Sequence, residues 1–224
     1  MKVVITGTSM GIGRAAAIKF ICHGHDVVGI DTQQAPSGLL SLSGNGVGRY
    51  YHYVADVSEK DSLPDVEDCE ILVNNAGVQI EPLNIPVNLM GVINCCEKYA
   101  FQPKIKSVVN VASVSAHNGA EFPLYTASKG GVLAYTKWLA QEVAKYGATA
   151  NSLSPGGVIT PMTLDIWLDP QKRRAVLEET LLGKWASDHE IAEWIYFMSA
   201  VNKSMTAQDI IIDNGETAKY NFIQ

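Results

Sequence analysis

No two cysteines of this chain stand in a CxxC spacing. Cys22, Cys69 and the adjacent Cys95 and Cys96 are all it has, without paired histidines beside them. That pattern argues against a disulfide framework and against a zinc site, so the expectation is small buried thiols and no bound metal. His23 and His25, on either side of Gly24, read as the end of a first helix. Basic blocks are missing as well. The densest run, Lys172-Arg173-Arg174, is a solvated helix face, and a formal net charge of −6 gives no electrostatic case for nucleic acid or an anionic membrane. No apolar stretch approaches the ~20 residues that a spanning helix requires. Internal repeats and low-complexity linkers are absent too, and the first core strand begins at Lys2, which leads to the expectation of a cytoplasmic protein without a leader segment. What remains, 224 residues of which 47% are hydrophobic and 18% charged, suits one soluble domain with a sizeable core.

Two patterns carry chemistry. Tyr125-Thr126-Ala127-Ser128-Lys129 sets a phenol and an ammonium on one helix face, just after a helix start at Phe122-Pro123. A phenol ionises near pH ~10 and becomes a useful proton carrier when a neighbouring cation stabilises its phenolate. Lys129 is the candidate cation; a core tyrosine beside a solvated lysine is the other way to read the pair. The second pattern opens the chain, where Lys2-Val3-Val4-Ile5-Thr6 runs into Gly7, Gly11 and Gly13. It reads as strand, turn and helix, with glycines that let backbone approach a pyrophosphate and helix amides that face the anion. A glycine turn that only packs strand on helix is the alternative. Asp31 closes the next apolar run, Asp26 to Ile30. At a strand tip, such a carboxylate accepts from ribose hydroxyls and repels a 2′-phosphate, which favours NAD over NADP. Met10, where a basic partner for that phosphate would stand, agrees.

Apolar segments alternate with helix-like ones throughout. Strands are expected near 2–6, 26–31, 50–55, 70–74, 106–112, 148–153 and 208–212, and helices near 12–24, 87–101, 123–146, 164–181 and 188–200. This is an α/β pattern: a single Rossmann-type, doubly wound parallel sheet of about seven strands, with helices on both faces and ligands bound where strand order reverses.

The glycine turn and the Tyr125–Lys129 pair together resemble the short-chain dehydrogenase/reductase family, and further motifs follow in the same order over nearly the full length. They are Thr6 to Gly13, Asp56-Val57, Asn74-Asn75-Ala76-Gly77, Asn88, Ser113, Pro155-Gly156 leading to Thr160-Pro161-Met162, and a closing Gln208 to Gly215. The resemblance implies that Gly7, Ser9, Met10, Gly11, Ile12 and Gly13 hold the dinucleotide. Asp56 and the Val57 backbone would meet adenine, unless Asp56 merely caps the turn that starts at Ser58. Asn75, Ala76 and Gly77 would let the ribose lie close, with a purely structural role for the segment as the alternative. Pro155, Gly156, the Val158 backbone and the Thr160 hydroxyl would hold the nicotinamide. Ser113 would donate to the substrate oxygen, with Ser115 as its competitor, and Tyr125 would carry the proton. Lys129 would hold ribose hydroxyls, and Asn88 a water that links lysine to solvent.

In the middle, the chain is short for the family between Asp56 and Asn74 and between Gly77 and Asn88, as in some bacterial hydroxysteroid dehydrogenases and carbonyl reductases. A truncated helix after the third strand and a shortened one before Asn88 are expected. The resemblance implies a homo-oligomer, dimer or tetramer, that acts on a small alcohol or ketone. Met162, Leu164, Ile166, Trp167, Leu168 and Trp185 suit either an apolar lid over the site within residues 160–185 or a helix packed on the core. The expected function is NAD-dependent hydride transfer at a secondary alcohol or ketone. A dinucleotide-binding redox sensor or structural subunit without turnover is the rival.

Overall fold

Near-continuous β-branched runs such as Val3-Val4-Ile5 and Val108-Val109 are what a strand covered on both faces requires. They pair accordingly. The structure is a computed structural model that describes residues 1–42 and 47–219. In chain order its strands and helices are β1 (Lys2–Thr6), α1 (Gly11–Cys22), β2 (Asp26–Asp31), α2 (Ser37–Leu42), β3 (Tyr50–Val54), β4 (Ile71–Asn74), α3 (Gly91–Tyr99), β5 (Ser107–Val111), α4 (Ser115–Asn118), α5 (Pro123–Val143), β6 (Thr149–Pro155), β7 (Val158–Ile159), α6 (Leu164–Leu168), α7 (Pro170–Glu178), β8 (Ala186–Ser187), α8 (Asp188–Tyr196) and β9 (Asp209–Ile212).

Seven strands form one parallel sheet in the order β3-β2-β1-β4-β5-β6-β9, and β7 pairs with β8 apart from it. Order reverses between β1 and β4, so the loops that follow these two strands flank the crevice where such sheets bind ligands. Side chains alternate across the sheet. Val4, Leu72 and Val108 face α3 and α5, whereas Val3, Ile5, Ile71 and Val109 face α1 and α8. Ala15, Ala16 and Ala17 are all buried on the second face, and their small side chains let α1 lie close to the strands. Among the described residues, no helix is long and apolar enough to cross a membrane.

Local chemistry explains several helix starts. Pro123 occupies the first turn of α5, where its missing N–H costs nothing, and Ser187 caps α8 in a reciprocal box with Glu190. The same chemistry breaks the helix expected over 164–181. Asp169 accepts from the backbone N–H groups of Gln171 and Lys172 and Pro170 follows it, so one helix ends and α7 begins there. The helix expected from residue 87 begins earlier, as a wide π-type run Asn84–Met90 that leads into α3. After β3, the short spacing leaves room for only a 3₁₀ turn, Lys60–Ser62.

Candidate active site

The glycine turn lies at the C-terminal end of β1. Gly7 has φ +75°, and a Cβ there would come within 2.8 Å of Asn75 Nδ2. A Cβ on Gly13 would lie 2.1 Å from the Gly7 carbonyl oxygen, so only hydrogen fits between α1 and the turn. Met10 gives α1 no side-chain cap, and its first turn holds no acid. Its leading N–H groups therefore present partial positive charge to the crevice beside Ser9, Gly11 and Ile12. Asp31, at the end of β2, points at this turn and accepts from Ser9 N at 2.9 Å and from Gln33 N at 2.9 Å. Thr160 closes the turn from the far side, where a Cβ on Gly11 would meet its Cβ and Cγ2 at 3.4 Å. A cradle that a Cβ would fill, an uncapped helix start and a carboxylate at the second strand tip fit a dinucleotide.

Other residues expected to hold the cofactor are engaged locally. Asn75 donates to the Thr6 and Gly7 carbonyls at 3.0 and 3.2 Å, and the Asn75 and Ala76 backbone N–H groups both donate to Thr6 Oγ1. These bonds lock the loop after β4 to the glycine turn. Asp56 Oδ1 accepts from Ser58 N at 2.9 Å and Ser58 Oγ at 2.8 Å, a turn of its own. Val57 is buried beside it, and its carbonyl accepts from Asn94. Pro155 ends β6 in register with Ile212, Gly156 N donates to the Ile212 carbonyl, and Val158 pairs with Ala186.

At the neighbouring strand ends the chain assembles Tyr125, Ser113, Lys129 and Asn88. The Tyr125 hydroxyl has Ser113 and Gln79 as hydrogen-bonding neighbours. The Ser115 backbone N–H donates to Ser113 Oγ at 3.2 Å, and the Ser115 hydroxyl is buried. Lys129, only 4% exposed, lies 5.7 Å from the centre of the Tyr125 ring and donates to the Val111 carbonyl at 2.9 Å. Asn88 grips Val78 from both sides, accepting from its N–H at 2.8 Å and donating to its carbonyl at 2.9 Å, and also donates to Ser128 Oγ. Gly77 brings the two together, since a Cβ there would lie 3.2 Å from Asn88 Oδ1 and 3.5 Å from Lys129 Nζ.

The electrostatics differ from what the Tyr–Lys spacing alone leads one to expect. Burial pushes the Tyr125 phenol up to about 12, and the charge of Glu121 adds to the rise, against the hydrogen bonding of Ser113 and Gln79. Burial also draws the Lys129 ammonium down to about 8, with Glu121 opposing. The lysine is turned to a backbone carbonyl and the charge that acts on the phenol is the Glu121 carboxylate, so in this state the phenol is harder to ionise, not easier. Gln79 and Glu121 are thus site residues that the motif reading missed. The available signal was position alone: Glu121 lies four residues before Tyr125, just ahead of the start of α5.

Beyond the site, residues 160–185 arch between β7 and β8. α6 and α7 bury no residue, Met162 and Leu168 are 54% and 68% exposed, and the segment is not packed into the core. Trp185 sits against Gly157, where a Cβ would lie 2.1 Å from its Nε1, and stacks on Trp167 with ring centres 6.1 Å apart.

The short chain dehydrogenase family model matches residues 1–171. A 3-oxoacyl-[acyl-carrier-protein] reductase of Thermotoga maritima is 32% identical over 95% of this chain and 96% of its own length. The 2-dehydro-3-deoxy-D-gluconate 5-dehydrogenase of Escherichia coli is 27% identical, covering 96% and 95%. Among solved structures, an Agrobacterium tumefaciens protein described as a 2-deoxy-D-gluconate 3-dehydrogenase, with bound NADP, superposes with a TM-score of 0.87 at 29% identity over 97% of this chain and 96% of that one. The chain belongs to the short-chain dehydrogenase family. It is an oxidoreductase of the NAD(P)-dependent kind that acts on CH–OH groups.

Proposed function

We propose that the chain transfers hydride between NAD and a secondary alcohol or ketone, as one Rossmann-fold domain whose segment 160–185 closes over the substrate. The observation that carries this is the Tyr125 hydroxyl beside Ser113, with Lys129 and Asn88 behind it, across the crevice from the glycine turn. The nicotinamide supplies the hydride acceptor or donor. In alcohol oxidation, Ser113 donates a hydrogen bond to the substrate oxygen and Tyr125 takes its proton. Lys129 holds ribose hydroxyls and, released from the Val111 carbonyl, lends its charge to the phenolate. Asn88 fixes the loop at Val78 and keeps the lysine supplied with protons through water.

The preference for NAD rests on Asp31, whose carboxylate stands beside Ser9 where a 2′-phosphate would meet like charge. The Agrobacterium structure holds NADP, so the side chain at this strand tip is the point to test. A hydroxysteroid is set aside as substrate. None of the three relatives named above acts on one, and the Glu121 carboxylate that acts on Tyr125 suits a polar molecule better. Exposed Met90, Trp138, Trp194 and Phe197 support a homo-oligomer, and we place the enzyme in the cytoplasm.

The test is NADH formation and consumption by purified protein against a panel of secondary alcohols and ketones, with NADP in parallel. Turnover that Tyr125→Phe abolishes while NADH still binds supports the proposal. Tight NADH binding without turnover across the panel overturns it in favour of a redox sensor.

A further inference from the structure

Gln79 Nε2 donates to Glu121 Oε2 at 2.6 Å, a bond between residues 42 apart in the chain. One lies after β4 and the other between α4 and α5, so the pair bridges two loops at the end of the sheet. The bridge stands at the reacting hydroxyl. Gln79 neighbours the Tyr125 OH, and the Glu121 charge acts on both Tyr125 and Lys129. Across the mouth, Glu216 lies against the turn after β6, where a Cβ on Gly156 would be 2.8 Å from its Oε2, and it accepts from the Gly157 N–H. Three cations of the covering segment are engaged elsewhere: Arg173 over Trp167, Arg174 with Glu178, and Lys184 with Glu190.

We propose that Glu121, held by Gln79, is the specificity-determining residue of this site and selects alcohols or ketones that carry an ammonium group beside the reacting carbon, against those with a carboxylate or phosphate there. This rests on the oxidoreductase reading above. In oxidation, the carbinol C–H bond breaks with both electrons passing as hydride to NAD, the O–H proton goes to the Tyr125 phenolate, and the C=O bond forms. An ammonium group lies outside this balance and serves as the handle. Paired with Glu121, it cancels the charge that opposes ionisation of Tyr125, whereas a carboxylate would add to it. The preference departs from that of the Escherichia coli relative, whose named substrate is a sugar acid.

The experiment compares kcat/KM with NAD for matched secondary alcohols that end in ammonium, hydroxymethyl or carboxylate: 1-amino-2-propanol, 1,2-propanediol, lactate and their longer homologues. Wild type should favour ammonium over carboxylate by about tenfold or more. Glu121→Gln should bring that ratio near one and Glu121→Lys should reverse it, while NADH affinity, the check on folding, stays unchanged in both. A wild-type ratio of one or less, or a ratio that Glu121→Gln leaves intact, overturns the proposal and spares the enzyme assignment. Failure of all three classes with NADH still bound overturns the proposal, and only failure of the whole panel of alcohols and ketones overturns the enzyme assignment with it.

Discussion

Lys129 lies 5.7 Å from the centre of the Tyr125 ring yet gives its hydrogen bond to the Val111 carbonyl. The pair therefore stands side by side without the lysine easing ionisation of the phenol. A buried cation held by one carbonyl costs stability, and in the proposed reaction its compensation is catalytic.

Lys129→Met should therefore stabilise the fold at pH 7 and abolish turnover. Burial lowers the lysine from 10.5 to about 8, a difference worth roughly 3 kcal/mol at most. The sign follows from proton binding. Between those two values the unfolded lysine keeps a proton that the folded one has lost, so wild-type stability rises with pH across that window. The advantage of the variant should shrink accordingly. Urea denaturation of both proteins at pH 7 and near pH 10 measures it; an advantage that grows with pH contradicts the burial argument.

Glu121→Gln should move the alkaline rise of alcohol oxidation to lower pH. The carboxylate contributes to holding Tyr125 near 12, so removing its charge lets the phenolate form earlier. The profile of kcat/KM against pH for a neutral alcohol reads this directly, and a shift to higher pH would refute the assigned coupling.

Asp31→Ala should weaken NAD binding and relax discrimination against NADP. The carboxylate accepts from Ser9 N, so its loss also frees an amide in the phosphate turn. Dissociation constants for both cofactors decide the matter, and an unchanged NAD/NADP ratio would remove Asp31 from the specificity role.

Gly13→Ala should cost about 1–3 kcal/mol or more and abolish cofactor binding, because the new methyl would stand 2.1 Å from the Gly7 carbonyl. Thermal denaturation and NADH titration report the two effects separately; a variant that binds NADH like wild type would mean that the turn does not form the cradle.

The sequence by itself determined the sheet, the glycine turn and the Tyr125–Lys129 pair. Strand pattern, turn residues and helix spacing are local, and each acts within a few residues of chain. It was also enough to put Asp31 at a strand tip. Where two local signals conflicted it went astray: apolar periodicity ran through Asp169-Pro170, and the cap and the proline ended the helix there. Only the tertiary structure set Ser113, and not Ser115, beside Tyr125, a neighbour that twelve residues of spacing do not specify. It alone turned Lys129 toward Val111, and it alone brought Gln79 to Glu121. Those contacts join segments far apart in sequence, where the geometry of packed strands, not the spacing of residues, sets who meets whom.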